Sequence, residues 1–173
     1  FADARWQGGA YDPAPPPETW AEFRDAARRI RALGSDRYGF GLNAGERYVF
    51  FKKFFPFAWG NGGAVLGPRG EDVVLASEAN REALEFYLSL APYSLVEKQD
   101  VLDRAFMEGR VGMIISGGWM LANIPRDAPA LDFACALLPR PSADRGEPAS
   151  FAGGEMLVLP AAGRHPDLAM ELA

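Results

Sequence analysis

Helical stripes and short apolar runs take turns along this chain, and that alternation leaves few folds open. Thr19-Trp20-Ala21-Glu22 has capping-box spacing: the Thr hydroxyl can accept the third amide while Glu22 reaches back. Apolar residues then recur at Trp20, Phe23, Ala26, Ala27, Ile30 and Leu33, which is helical periodicity, and Gly34 supplies a stop. Arg24, Arg28, Arg29 and Arg31 read as the solvated side. Tyr38 to Asn43 reads as a short strand, and residues 1–18, rich in Gly, Pro and Ala, as a connector.

Tyr48 to Trp59 is strongly aromatic, with Phe50/Phe54 and Phe51/Phe55 spaced to bury together on a short helix that has Pro56 near its end or at a kink. Asn61-Gly62-Gly63 forces a turn, and Val73 to Ala76 is a candidate strand. Ser77 caps a helix carrying Ala83, Leu84, Tyr87, Leu88 and Ala91, and Asp100 begins another that Gly109 stops. Val111 to Ile115 reads as a buried strand that Ser116-Gly117-Gly118 turns into a short helix around Trp119 to Ile124. Phe133 to Leu138 and Met156 to Leu159 are further strand candidates, and His165-Pro166 opens a last helix. Alternating helices and strands place the chain in the α/β class.

Of its 173 residues, 18 are basic and 23 acidic, giving a net charge of −5 without a basic cluster, so nucleic acid is not an expected partner. The lone Cys135 can form no internal disulfide and is expected as a packed thiol; with it, a structural thiolate metal site is excluded. His165, the single histidine, is expected at a helix cap or on the surface, which leaves Cys–His and Ser–His catalysis without material. The uncharged stretch from Val111 to Pro125 is too short and glycine-rich to span a bilayer. Phe1 to Trp6 carries no signal-peptide pattern, and both ends read as cuts in a longer protein.

Two glycine pairs beside aromatics stand out. Ser116-Gly117-Gly118-Trp119 and Phe151-Ala152-Gly153-Gly154-Glu155 each fall where a strand meets a loop. Glycine lets a backbone approach a ligand closely, and an indole offers a broad apolar face with a wet edge. That pairing suits a pyranose ring, with its apolar C–H face and rim of hydroxyls. A Trp packed beside a turn has the same pattern. Gly117-Gly118 lacks the endings of phosphate-binding loops. Glu155 is the best candidate for a site acid or, equally, a turn carboxylate satisfied by backbone amides; Glu108 and Asp103 read as solvated on an ordinary helix.

The ordered series Pro17-Glu18-Thr19-Trp20-Ala21-Glu22-Phe23, Tyr38-Gly39-Phe40 and Phe55-Pro56-Phe57-Ala58-Trp59-Gly60-Asn61-Gly62-Gly63 resembles the extracytoplasmic solute-binding proteins of ABC importers. The branch is family 1, maltose-binding-protein-like. The likeness continues in Ala83-Leu84-Glu85-Phe86-Tyr87, Phe106-Met107-Glu108-Gly109-Arg110-Val111-Gly112-Met113, Ser116-Gly117-Gly118-Trp119 and Leu131-Asp132-Phe133. Leu138-Pro139-Arg140-Pro141, Phe151-Ala152-Gly153-Gly154-Glu155 and His165-Pro166-Asp167-Leu168-Ala169 complete it.

The resemblance implies a periplasmic-binding-protein-like lobe, a three-layer arrangement of a sheet with flanking helices. The chain then corresponds mainly to the C-terminal lobe of a two-lobed protein. It implies a connector over residues 1–18, the lobe over 19–150, and a crossing segment returning to the other lobe over 151–173. It implies a non-enzymatic protein, without cofactor or metal, that binds a carbohydrate between two lobes and delivers it to ABC permease subunits in the membrane. The implied location is periplasmic or extracellular, with a lipid anchor as one option, and the implied state is a monomer. The ligand-binding residues it implies are Trp119, Gly117, Gly118, Gly153, Gly154, Glu155, Trp59 and Asn61. Trp119 matches the family's stacking Trp, while Gly118 stands where proline is usual. The competing readings are a carbohydrate-active enzyme domain using Glu155 with a second carboxylate, and a sensory ligand-binding module.

Overall fold

The computed structural model describes residues 15–153, 158–159 and 162–172. Helix α1 (Trp20–Arg31) opens on the expected capping box: the Glu22 amide donates to Thr19 Oγ1 at 3.3 Å, and the Thr19 amide donates to Glu22 Oε2 at 3.0 Å. The backbone amides of Thr19 and Glu18 both donate to the Glu22 carboxylate and hold it below its ordinary pKa. The helix buries Trp20, Phe23, Ala26, Ala27 and Ile30, the stripe that its period dictates.

Strand β1 (Tyr38–Asn43) follows, then α2 (Arg47–Gly60), α3 (Glu78–Ser89), a short 3₁₀ turn at Ala91–Tyr93, and β2 (Ser94–Glu97). The remainder is α4 (Gln99–Met107), β3 (Val111–Ile114), α5 (Met120–Asp127) and α6 (Pro166–Leu172). Among the described residues the strands form one parallel sheet in the order β2-β1-β3, with Phe40 opposite both Ser94 and Met113. Parallel strands need crossovers, and a right-handed crossover commits its helices to one face. The step from β1 to β2 and the step from β2 to β3 run in opposite lateral directions, so α2 and α3 lie on one face and α4 on the other.

Alternate residues of β1 show the result. Phe40 and Leu42 join the aromatic core with Phe54, Phe57 and Tyr87 from α2 and α3. Gly39 and Gly41 face α1 and α4; a Cβ on Gly39 would overlap the Ala27 backbone, so only glycine lets α1 settle this close to the strand. The three-layer α/β lobe implied by the sequence is the observed architecture.

The aromatic pairs on α2 form as spaced, Phe50 stacked on Phe54 at 5.8 Å and Phe51 against Phe55 at 4.0 Å, although Phe51 stays exposed. Pro56 lies inside α2 and is fully buried.

Two expected strands do not form. Val73 to Ala76 makes a single bridge, Val73 to Leu66, and Val73 is exposed; the intervening turn leaves no length for a ladder. Phe133 to Leu138 is not a strand, although β3, at the edge of the sheet, is paired on one side only among the described residues. It passes beside β3 without pairing, then Arg140 bonds across to Glu18 and Trp20. Cys135 on that run is consequently exposed rather than packed. Of the candidate strand from Met156, residues 156 and 157 lie outside the described residues, and Val158 and Leu159 belong to no strand.

Candidate functional site

All three strands run in one direction, so their carboxyl ends share an edge, the place where open α/β sheets form ligand crevices. Asn43 ends β1, Gln99 starts α4 just after β2, and Ser116 to Trp119 follow β3. They meet in one polar row. The Asn43 amide donates to Glu46 Oε2 at 3.0 Å, and the same oxygen accepts the Gln99 backbone amide at 2.8 Å. Glu46 therefore neutralises the open N-terminus of α4 from a neighbouring loop, and these donors hold its carboxyl below the usual range.

Asp103 is the centre of the row. Its Oδ1 accepts the Gln99 side-chain amide at 2.6 Å and the Ser116 hydroxyl at 2.8 Å. Its Oδ2 accepts the indole N–H of Trp119 at 3.1 Å. Asp103 is only 9% exposed, whereas Trp119 is 54% exposed. The expected solvated Asp103 is thus a buried, fully engaged carboxylate. Gln99, Leu102, Asp103 and Phe106 share one helical stripe, and that spacing was the available signal: a carboxylate on a core-facing stripe must find donors. Glu108 is solvent-facing as expected, bonded to Arg110.

Lys53, on α2, is 7% exposed and forms no side-chain hydrogen bond among the described residues. Burial pushes its pKa down to about 8, opposed by the charge of Asp103 and, more weakly, Glu46. Two buried acceptors of the row, Asn43 Oδ1 and Gln99 Oε1, have no donor among the described residues.

Gly117 and Gly118 sit at the start of α5, with the Met120 and Leu121 amides donating to their carbonyls at 3.0 and 3.1 Å. A Cβ on Gly117 would overlap the six-membered ring of Trp119, so the bare backbone is what the indole lies against. The same two glycines border a 330 Å³ cavity with Ile115, Met120, Phe133 and Leu137. That cavity is apolar and offers little to a polyhydroxyl ligand.

Trp59 and Gly153 form a second group. Trp59 is half-buried and stacks on Phe151 with centroids 6.0 Å apart; Gly153 abuts the same Phe151 ring, and Lys52 Nζ sits 5.8 Å from its centre. Lys52 and Lys53, neighbours on α2, thus serve one group each. Asn61 joins neither: its amide nitrogen donates to Ala79 O and Glu82 Oε2, both at 2.9 Å, tying the end of α2 to α3. Gly154 and Glu155 lie outside the described residues. Among the described residues no cluster of three His, Cys, Asp or Glu side chains could hold a metal, and no helix is long and apolar enough to cross a membrane.

Comparison with known proteins gives a consistent picture. The family model for bacterial extracellular solute-binding proteins matches residues 1–173. A binding protein of Brucella abortus strain 2308 is 30% identical over 139 residues, covering 76% of this chain and 33% of that protein. The chain therefore spans about a third of the length of the curated relatives it matches. An ABC transporter solute-binding protein of Thermotoga lettingae TMO, solved with α-D-tagatose, superposes with a TM-score of 0.78 at 28% identity, over 93% of this chain and 42% of that one. The cyclic α-maltosyl-1,6-maltose-binding protein of Arthrobacter globiformis superposes with a TM-score of 0.65 at 27% identity, over 79% of this chain and 34% of that one.

Proposed function

We propose that this chain, which belongs to the bacterial extracellular solute-binding proteins, forms one wall of a carbohydrate site whose ligand is passed to an ABC permease. One observation carries the reading. Trp119 stands more than half exposed at the carboxyl edge of a parallel sheet, its indole edge held by Asp103 and its ring seated on Gly117. A large apolar face kept open beside fixed polar groups fits a sugar ring. The sugar-binding neighbours named above support the ligand class.

In this reading residues 19–150 are the lobe, 1–18 a connector and 151–173 the segment that crosses toward a second lobe. Trp59 and Gly153 are further contacts of the ligand in this reading, and the resemblance adds Gly154 and Glu155. Closure of the second lobe over the ligand selects the transport-competent state. The protein works as a monomer without cofactor or catalysis, outside the cytoplasmic membrane, free or held by a lipid anchor.

The test is tryptophan fluorescence of the intact protein titrated with α-D-tagatose, maltose and maltotriose. A saturable response is expected from at least one of them, and Trp119→Ala should weaken that binding by about 1–3 kcal/mol, the worth of a buried aromatic face. Silence toward all sugars, with saturable binding of a polyamine or a phosphoester, refutes the carbohydrate assignment.

A further inference from the structure

We propose that Asp103 is a positioning residue for the Trp119 platform, fixing the indole in one orientation before any ligand arrives. The inference rests on the stacking reading of Trp119 and adds to it a residue that need not touch the ligand. A tryptophan that is 54% exposed has few packing contacts to select its rotamer. This one is restrained at two ends. Its only polar hydrogen goes to Asp103 Oδ2, a charge-assisted bond, and its benzene ring lies on the Gly117 backbone.

The carboxylate cannot swivel away with the ring. Its other oxygen is taken by Gln99 Nε2 and Ser116 Oγ, and Gln99 Nε2 is itself shared with the Ile115 carbonyl at 3.2 Å. Asp103 is thereby tied to the end of β3, two residues from which the chain turns into Gly117-Gly118-Trp119. An apolar side chain would fill this position on α4 with no buried charge to compensate. The carboxylate also stands as counter-charge to the buried Lys53 on α2; what it adds for the exposed face is a hold on the indole N–H.

Holding the ring removes an ordering cost from ligand binding. Losing the tether should weaken sugar binding by about 3- to 10-fold, the range set by immobilising one rotamer-rich side chain. The experiment uses the intact protein with ¹⁵N-labelled tryptophan, Trp119→Phe identifying the Trp119 indole resonance. In Asp103→Asn that resonance should move upfield and exchange faster with solvent while the other indoles stay in place, which also certifies the fold. Ser116→Ala should move it the same way by less. Affinities for α-D-tagatose and maltotriose are then measured in a double-mutant cycle. Asp103→Asn should weaken binding in the wild-type background and have no further effect once Trp119 is Phe, which has no N–H to hold.

An unmoved indole resonance in Asp103→Asn overturns the proposal. So does an affinity loss of equal size in the Trp119→Phe background, which would make Asp103 merely structural. If Trp119→Phe weakens binding and Asp103→Asn does not, stacking stands and positioning falls. If Trp119→Ala leaves both affinities unchanged, the stacking reading falls and takes the positioning role with it, while the resonance still reports the bond.

Discussion

The aromatic core under β1 and the polar row at the ends of the strands are built by opposite rules. In the core, Phe40, Phe57 and Tyr87 meet edge to face or tilted, each ring touching several others: Tyr87 alone lies within 6.2 Å of Phe40, Phe50, Phe54 and Phe57. Such contacts are many, weak and undirected, so their sum depends on volume and fit. In the row, each contact is single and directional. Asp103 has three side-chain donors, and Glu46 has one side-chain and one backbone donor. The core stores stability; the row stores orientation, at the cost of buried polar atoms.

The sharpest contrast comes from removing one ring of the core. Phe57 is 1% exposed and touches Phe23, Phe86 and Tyr87. Phe57→Ala should destabilise the protein by about 3–5 kcal/mol through lost transfer energy and a cavity. Sugar affinity in the folded fraction should stay unchanged. Denaturant unfolding at a series of ligand concentrations separates the two; an affinity loss without destabilisation would erase the division between the regions.

Lys53 joins the regions, since it sits on the core helix yet answers to Asp103. Its pKa of about 8 lies below the usual 10.5, so in the folded state its proton is held less tightly than in the unfolded chain. Below pH 8 both states carry the proton, and the folded state bears the full penalty of a buried cation. Between pH 8 and 10.5 the unfolded chain binds more protons, so stability rises with pH and the penalty disappears. The gap is worth ~3 kcal/mol at about 1.4 kcal/mol per pH unit. The groups facing the amine are Asp103 on α4, Glu46 in the loop before α2, and Lys52 beside it. Lys53→Met should stabilise the protein at pH 7 by about 1–2 kcal/mol, less than the full penalty because Asp103 loses its counter-charge. The gain should shrink toward pH 10.5 when unfolding midpoints are compared across pH. A variant less stable at pH 7, or a difference indifferent to pH, would mean that Lys53 is held by Asp103 rather than penalised by burial.

How far the sequence could be read follows the same division. Capping and periodicity made α1 and α3 legible because both are local: Thr19 with Glu22, and Ser77 with Asn80, need only their own turn. Phe133 to Leu138 misled because strand formation depends on a partner edge that no local pattern encodes. Trp119, Gly117 and Gly118 were visible by residue type, but the acceptor of the Trp119 indole N–H comes from α4, sixteen residues earlier in the chain. Asp103 was hidden by an exposed-looking context, although its place on the Leu102–Phe106 stripe was readable. Lys53 was harder still, since α2 is apolar around most of its circumference and gives no face to which a lysine can be assigned. Asn61 illustrates the reverse: its motif suggested a ligand, and its side chain is spent on Ala79 and Glu82.

The smallest expected effect lies where this chain carries Gly118 in place of the proline usual in the sequences it resembles. Gly118 has no atom within 4 Å of where a Cβ would stand, and it is not among the glycines with positive φ. Its amide makes no backbone hydrogen bond among the described residues, while its carbonyl accepts the Leu121 amide. Proline would therefore lose no donor, and the position just ahead of a helix suits its fixed φ. Gly118→Pro should stabilise the protein by about 0.4–1 kcal/mol, mainly by restricting the unfolded chain. Because the residue precedes Trp119, sugar affinity should hold or improve as the platform stiffens. Thermal unfolding and a fluorescence titration check both. A stable variant with weakened binding would show that Trp119 must move to admit its ligand, and the row would then store adaptability rather than orientation.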